Sequence, residues 1–278
     1  MSGAAREGYR ASHLGRGKAL DYDRDFWSPN SAKGMDWALE QRLLDLIFAR
    51  HLFPPPARAV DFACGTGRIL AYLENHVLDT TGVDVSPDML AIARERCRHS
   101  RLIEQDVTVA KPTELDGSVQ LVTAFRFFLN AEPALRRDAL GWIRSVLTPD
   151  GHLVANFHLN PRSLRGSYLR MRWAGRRLHP MLSPAEVERL LTEAGFDIVA
   201  RYGYEFLPFR RDGVQLAAAP LRRWVEGLLL GRPVLNRVAG AFIVVAKVAA
   251  GSDVLPTGRA AVAANPSGSP SVNPDSAT

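Results

Sequence analysis

The sequence predicts an α/β fold: a mostly parallel, doubly wound sheet with helices on both faces. Three observations predict it. Short apolar runs alternate with helix-like stretches between residues 59 and 202, as β-α-β units require. A tight glycine turn, Gly65-Thr66-Gly67, follows the first of these runs directly. Late in the chain, Ser183-Pro184 with Glu186 opens a helix that Gly195 stops, a capping-box start and a glycine end. With 278 residues, 46% of them hydrophobic, the chain suffices for one sizeable domain with appended segments.

The elements follow in order. Residues 1–20 are polar and glycine-rich and read as mobile. Tyr22, Phe26 and Trp27 then cluster within Asp21–Lys33. Residues 1–34 are an N-terminal segment whose aromatic residues either close over a site as a lid or simply pack. Met35–Leu52 has helical spacing, with Trp37, Leu39, Leu43, Leu44, Ile47 and Phe48 largely on one face. Pro54-Pro55-Pro56 ends it, because proline lacks the donor and crowds the preceding turn. Strands are expected at Ala59–Ala63, Thr80–Val85, Leu102–Gln105, Val119–Phe125, Gly151–Phe157, Phe196–Tyr202 and Ala241–Val248. Helices are expected at Gly67–Asn75, Pro87–Arg98, Ala134–Leu147 and Ser183–Ala194. The main domain is assigned to residues 35–250. Two segments within it, 159–182 with six arginines and 203–240 with an amphipathic stretch at Leu221–Leu230, exceed ordinary connections and read as caps over the sheet edge. Residues 251–278 have few bulky side chains and read as a disordered tail.

Composition excludes several classes. Collagen-like and wholly disordered chains do not fit. No apolar run approaches the roughly 20 residues of a membrane span, and the N-terminus lacks the apolar centre of a secretory signal. Cys64 and Cys97 have neither zinc nor disulfide spacing, so no metal is expected and the expected location is cytoplasmic. The net charge of +6 is carried almost wholly by arginine. It supports attraction to anions and says nothing about fold.

Chemistry concentrates at Val60–Leu70, a strand, a glycine turn and a helix start. Gly65 and Gly67 let a ligand approach the backbone, and the helix offers free N–H groups. Such a loop after the first strand of a doubly wound sheet is a nucleotide-cofactor site. The dinucleotide pattern G-x-G-x-x-G fails, because Leu70 stands at its third glycine. No phosphate-loop pattern is present either. Asp84 ends the second strand, 19 residues beyond Gly65, where a carboxylate accepts from ribose hydroxyls; capping the next helix is the alternative. Asp106 follows the third strand and could accept from an adenine amino group, with Val107 offering a backbone donor, or be a plain loop residue.

With these blocks in order, the chain resembles the class I, Rossmann-like S-adenosylmethionine-dependent methyltransferases. Four stretches carry the resemblance: Asp61 to Gly67, Gly82 to Leu90, Gln105-Asp106-Val107, and Leu147 to Leu153. It spans about Tyr22–Val248, with Ala63 in place of the family's first glycine. The resemblance implies a seven-stranded sheet with an antiparallel last strand and S-adenosyl-L-methionine as cofactor. It implies that Asp61 holds the methionine amino group and that Ala63, Gly65 and Gly67 line the cofactor. Asp84 would take the ribose, Val85 and Met89 flank the adenine, and Asp106 and Val107 meet its edge. Phe125 is counted with these residues, and Tyr22 with Trp27 forms part of a lid.

The acceptor is less legible. The [DN]-P-P-[YF] pattern of enzymes that methylate base or amide nitrogens is replaced by Ala124 to Asn130, so no stable nucleic-acid partner is expected. Arg126, Asn130 and Asn156 are candidate acceptor contacts at strand ends, and His158 is the candidate general base. These residues predict methyl transfer to an oxygen, or less favourably a nitrogen, of a sugar or natural-product intermediate. Two other readings remain open: a membrane-surface or RNA-binding module using Leu221–Leu230, and a non-catalytic cofactor-binding subunit. A homodimer is also open.

Overall fold

The computed structural model describes residues 16–28, 31–50, 58–110, 112–172, 181–207 and 219–250. The first fifteen residues, the proline run at 54–56 and the tail at 251–278 lie outside them, as do parts of both insertions. The described elements are α1 (Arg16–Trp27), α2 (Ala32–Arg50), β1 (Arg58–Phe62), α3 (Arg68–Leu73), β2 (Asp79–Asp84), α4 (Pro87–Arg96), β3 (Arg101–Glu104), β4 (Val119–Ala124), α5 (Pro133–Val146), β5 (Leu147–His158), α6 (Leu164–Arg172), α7 (Pro184–Glu193), β6 (Phe196–Tyr204), α8 (Ala219–Leu229) and β7 (Ala241–Val248).

The seven strands form one sheet in the order β3-β2-β1-β4-β5-β7-β6. Pairing is parallel from β3 to β5, and β7 runs antiparallel to both β5 and β6. The expected mixed sheet is therefore present. Central strands are buried on both faces, so their sequences read as apolar runs. Strand β7 shows the period of two: Phe242, Val244 and Ala246 enter one core, Ile243 and Val245 the other. The first core lies under α5 and α7. The second lies under α2 and α3.

Two corrections concern local structure. Residues 16–20 are helical, not mobile, and the helix continues to Trp27. Buried Ala19 and Phe26, with partly buried Tyr22, form its inner stripe. Asp23 and Arg96 then tie it to α4 through two hydrogen bonds of 2.7 and 2.9 Å. Tertiary contacts stabilise a helix that its charged sequence does not advertise. Strand β5 starts at Leu147 rather than Gly151, because Leu147 pairs with Val119 across a register break. The expected α7 cap is present in full: Ser183 Oγ accepts from the Glu186 amide, and the Glu186 carboxylate accepts from the Ser183 amide. Among the described residues, no helix is long and apolar enough to cross a membrane.

Candidate active site

Strands β1 and β4 lie side by side, yet the chain leaves them toward opposite edges of the sheet. Their carboxyl ends flank the crevice where doubly wound folds bind ligands. A cavity of about 390 Å³ opens there, lined from the ends of β1, β2 and β3 to the ends of β4, β5 and β6. Helix α1 contributes Tyr22 and Phe26 to its wall, and α6 contributes Arg165.

The backbone at this rim is strained in a consistent way. Ala63, Arg126, Leu159 and Glu205 have φ between 54 and 62°, a left-handed region costly for residues with a Cβ. Each lies one or two residues after the end of its strand, and all four line the cavity. Such strain clusters at functional sites because the surrounding fold must hold it.

The β1–β3 side carries carboxyls. Asp61 is buried beside Thr123, its register partner on β4, whose hydroxyl donates to Oδ1 at 2.7 Å. Its Oδ2 is buried without a hydrogen bond of normal geometry. Burial pushes the Asp61 pKa up to about 7; Thr123, Arg68 and the Leu70 amide oppose the rise and the Asp84 charge adds to it. Asp84 Oδ2 accepts from the Gly65 amide at 2.8 Å and Oδ1 from the Ser86 amide at 2.9 Å. It thus sets the glycine turn, while Ser86 caps α4. Asp106 Oδ1 accepts from the Thr108 amide and hydroxyl in a local turn. At Gly65 a Cβ would enter open space, as a loop that a ligand approaches should allow.

The β4–β6 side is built on buried ion pairs. Glu40 of α2 is fully buried. It meets Arg68 at 2.7 Å and Arg126 at 3.4 Å, and accepts from Asn156 Nδ2 at 2.9 Å and Tyr204 OH at 2.8 Å. Burial opposes its charge, but Arg68 and Arg126 outweigh that and hold its pKa below the ordinary value. Burial likewise opposes the charge on Arg126, and Glu40, Tyr204 and Asp36 keep it protonated. Asp36 meets Arg126 and Arg222 at 3.4 Å each. Burial and the Glu205 charge push its pKa well up. Arg165 pairs with Glu205 at 2.8 Å. His158 is held well below its ordinary pKa by burial and by Arg126 and Arg165, and so is neutral.

Most expected site residues come together here. Tyr22, Asp61, Ala63, Gly65, Asp84, Val85, Met89, Asp106, Val107, Phe125, Arg126, Asn130 and His158 all line the cavity. Three do not. Gly67 is turned to α4, where a Cβ would come within 3.0 Å of Ala93 Cβ and Cys97 Sγ; its glycine serves helix packing and a φ of 76°. Asn156 is buried beneath the rim, where its Oδ1 accepts from the Arg126 amide at 2.6 Å. Trp27 stacks on the Arg96 guanidinium at 4.7 Å and lines a smaller neighbouring hollow instead. Sequence reasoning missed Asp36, Glu40, Arg68, Arg165 and Glu205. Asp36 and Glu40 carried a signal: two carboxyls one turn apart within an otherwise apolar helix stripe require buried partners.

Residues 59–151 match the family model described as a methyltransferase domain. The chain is similar to class I S-adenosylmethionine-dependent methyltransferases. It is 26% identical over 217 residues to the demethylmenaquinone methyltransferase of Thermus thermophilus, covering 67% of this chain and 92% of that protein. It is 27% identical over 203 residues to a ubiquinone biosynthesis O-methyltransferase of Roseobacter denitrificans, covering 68% and 71%. Among solved structures, magnesium protoporphyrin IX methyltransferase from Synechocystis, with S-adenosylhomocysteine bound, superposes with a TM-score of 0.56 at 16% identity, covering 84% of this chain and 96% of that chain. That likeness is one of fold.

Proposed function

We propose that this chain is an S-adenosylmethionine-dependent methyltransferase that acts on an oxygen of a small molecule held in the β4–β6 half of the cavity, while S-adenosylmethionine occupies the β1–β3 half. The observation that carries the reading is the single walled cavity that joins both halves. It suits a ligand pair enclosed on most sides, and α1 and α6 wall it against a large partner. Of the two relatives named above, one is by its name a methyltransferase of demethylmenaquinone and the other an O-methyltransferase of ubiquinone biosynthesis. Sugar and natural-product intermediates belong to the same acceptor class.

S-adenosylmethionine supplies the electrophilic methyl group; the protein aligns the reactants and excludes water. Asp61 meets the methionine ammonium, answering its otherwise unpaired Oδ2. Ala63 and Gly65 give backbone access. Asp84 takes the ribose, Val85 and Met89 flank the adenine, and Asp106 with Val107 meets the adenine edge. Phe125 and Tyr22 complete the wall. Arg126, Asn130 and His158 contact the acceptor. The free thiols of Cys64 and Cys97 support a cytoplasmic location.

Calorimetric titration with S-adenosylmethionine tests the cofactor assignment. Saturable one-to-one binding is expected, and folded protein that takes up none refutes the reading. Incubation with isotopically labelled methyl donor and a panel of hydroxylated small molecules then tests the acceptor class, with labelled ethers or esters expected as products.

A further inference from the structure

Charge is distributed unequally along the cavity. The β1–β3 half exposes the carboxyls of Asp61, Asp84 and Asp106 to the ligand space, which suits a cationic methyl donor. The β4–β6 half holds Arg126, Arg165 and His158 against Asp36 and Glu205. Asp36 retains its proton more readily than an ordinary carboxyl, because it is buried and faces Glu205. Glu40, beneath the rim, is shared between Arg126 and Arg68. Two guanidinium groups, Arg126 and Arg165, thus face this half of the cavity, each held by carboxylates at its wall.

Two polar atoms of the same half also lack partners. Arg126 Nε and His158 Nδ1 are buried and make no hydrogen bond. They sit just past or at the ends of adjacent strands, β4 and β5, and both residues face the cavity. Leaving buried polar nitrogens unanswered is unfavourable, so a ligand that answers them gains affinity.

We infer that the methyl acceptor binds as an oxyanion, a phenolate, enolate or carboxylate, with its charged oxygen between Arg126, His158 and Arg165. This rests on the oxygen-methylation reading above and narrows it to acidic hydroxyl compounds. The chemistry balances without a base. The acceptor oxygen forms the new C–O bond as the S–CH3 bond breaks, and the electron pair of that bond goes to sulfur. Negative oxygen and positive sulfur cancel, and no proton has to leave. A buried site favours a step that cancels charge. His158 then serves as a neutral hydrogen-bonding contact rather than a proton carrier.

The test is a titration of the full chain saturated with S-adenosylhomocysteine. The probes are two matched pairs, benzoate against benzamide and 4-nitrophenolate against 4-nitroanisole. Each anion is expected to bind about tenfold or more tightly than its neutral partner, the scale of a charge-assisted hydrogen bond. Arg165→Gln should remove most of that preference without changing S-adenosylhomocysteine affinity, and Arg165→Lys should restore part of it. Arg165 is partly exposed on α6 but pairs with the buried Glu205, so thermal unfolding is read on both variants, and the lysine variant keeps that charge pair. Equal affinity within each pair, preference for the neutral member, or no binding of either anion overturns the inference. Failure of S-adenosylhomocysteine itself to bind is a separate result that removes the parent reading.

Discussion

In the β1–β3 half of the cavity, each carboxyl lies at or near the end of a strand and is fixed by its neighbours. Asp84 bonds the glycine turn and the start of α4, Asp106 bonds Thr108, and Asp61 bonds the adjacent strand. In the β4–β6 half, side chains from α2, α3, α6, α8 and two strand ends depend on one another across the fold. One half is a set of local turns. The other is a buried electrostatic network with Glu40 at its centre. The first tolerates damage piece by piece, while the second should fail as a unit.

The largest expected effect follows from that difference. Glu40→Ala leaves Arg68 and Arg126 buried without their shared counter-charge and removes the acceptor for Asn156 and Tyr204. Breaking a buried pair costs about 3–5 kcal/mol. Urea unfolding should show a lower midpoint by a corresponding margin. A loss under about 1 kcal/mol, the range of exposed pairs, would show that the two halves are not built differently.

The same contrast explains what could be read from sequence. Asp61, Gly65, Asp84 and Asp106 were legible because short parallel β-α-β connections put their chemistry at fixed offsets from strand ends. All seven strands were legible through runs of apolar or β-branched residues, and α7 through its capping box. The acceptor half was not, since Glu40, Arg126 and Tyr204 meet across separations of 86 and 164 residues. Periodicity reports only that a side chain faces inward, not which partner awaits it. Gly67 and Asn156 show the converse: one in the turn and one within a strand, they face α4 and the buried network rather than the cavity.

Asp84→Ala is next in size. It removes the acceptor that fixes the Gly65 and Ser86 amides and, in the proposed reading, the ribose contact. Hydrogen bonds to a charged group contribute about 1.5–3 kcal/mol, so S-adenosylmethionine affinity should fall roughly tenfold to a hundredfold by calorimetry. Unchanged affinity would leave Asp84 as a turn residue only.

Asp61 makes the β1–β3 half sensitive to pH. Its pKa rises from 3.8 to about 7 on folding. Between those values the folded protein holds a proton that the unfolded chain has lost, so this group's contribution to stability falls as pH rises through that window. Binding an ammonium group favours the carboxylate and should expel the proton. Affinity for S-adenosylmethionine should therefore climb by up to about tenfold per pH unit below 7 and level off above it. Calorimetry at pH 6, 7 and 8 in buffers of differing ionisation enthalpy reads the proton release directly. Asp61→Asn should flatten the profile, and a wild-type profile already flat would remove Asp61 from the ammonium contact.

The smallest effects come from the two loop glycines, which the structure assigns to different tasks. Gly67 has a φ of 76° and packs against Ala93 and Cys97, whereas Gly65 has a φ of 54° with open space where a Cβ would stand. An alanine at either position adds about 1–2 kcal/mol of left-handed strain. At Gly67 it also crowds α4, so Gly67→Ala should lose more stability and change S-adenosylmethionine affinity little. At Gly65 the added methyl enters the ligand's space, so Gly65→Ala should lose less stability and more affinity. Thermal unfolding and calorimetry on both variants separate strain from obstruction. Ala63 already holds a φ of 54° in the same loop, so this turn accommodates a Cβ when no ligand or helix claims its place. If both variants lost stability and affinity in equal proportion, the loop would be a single packed unit and the division of labour between its glycines would not stand.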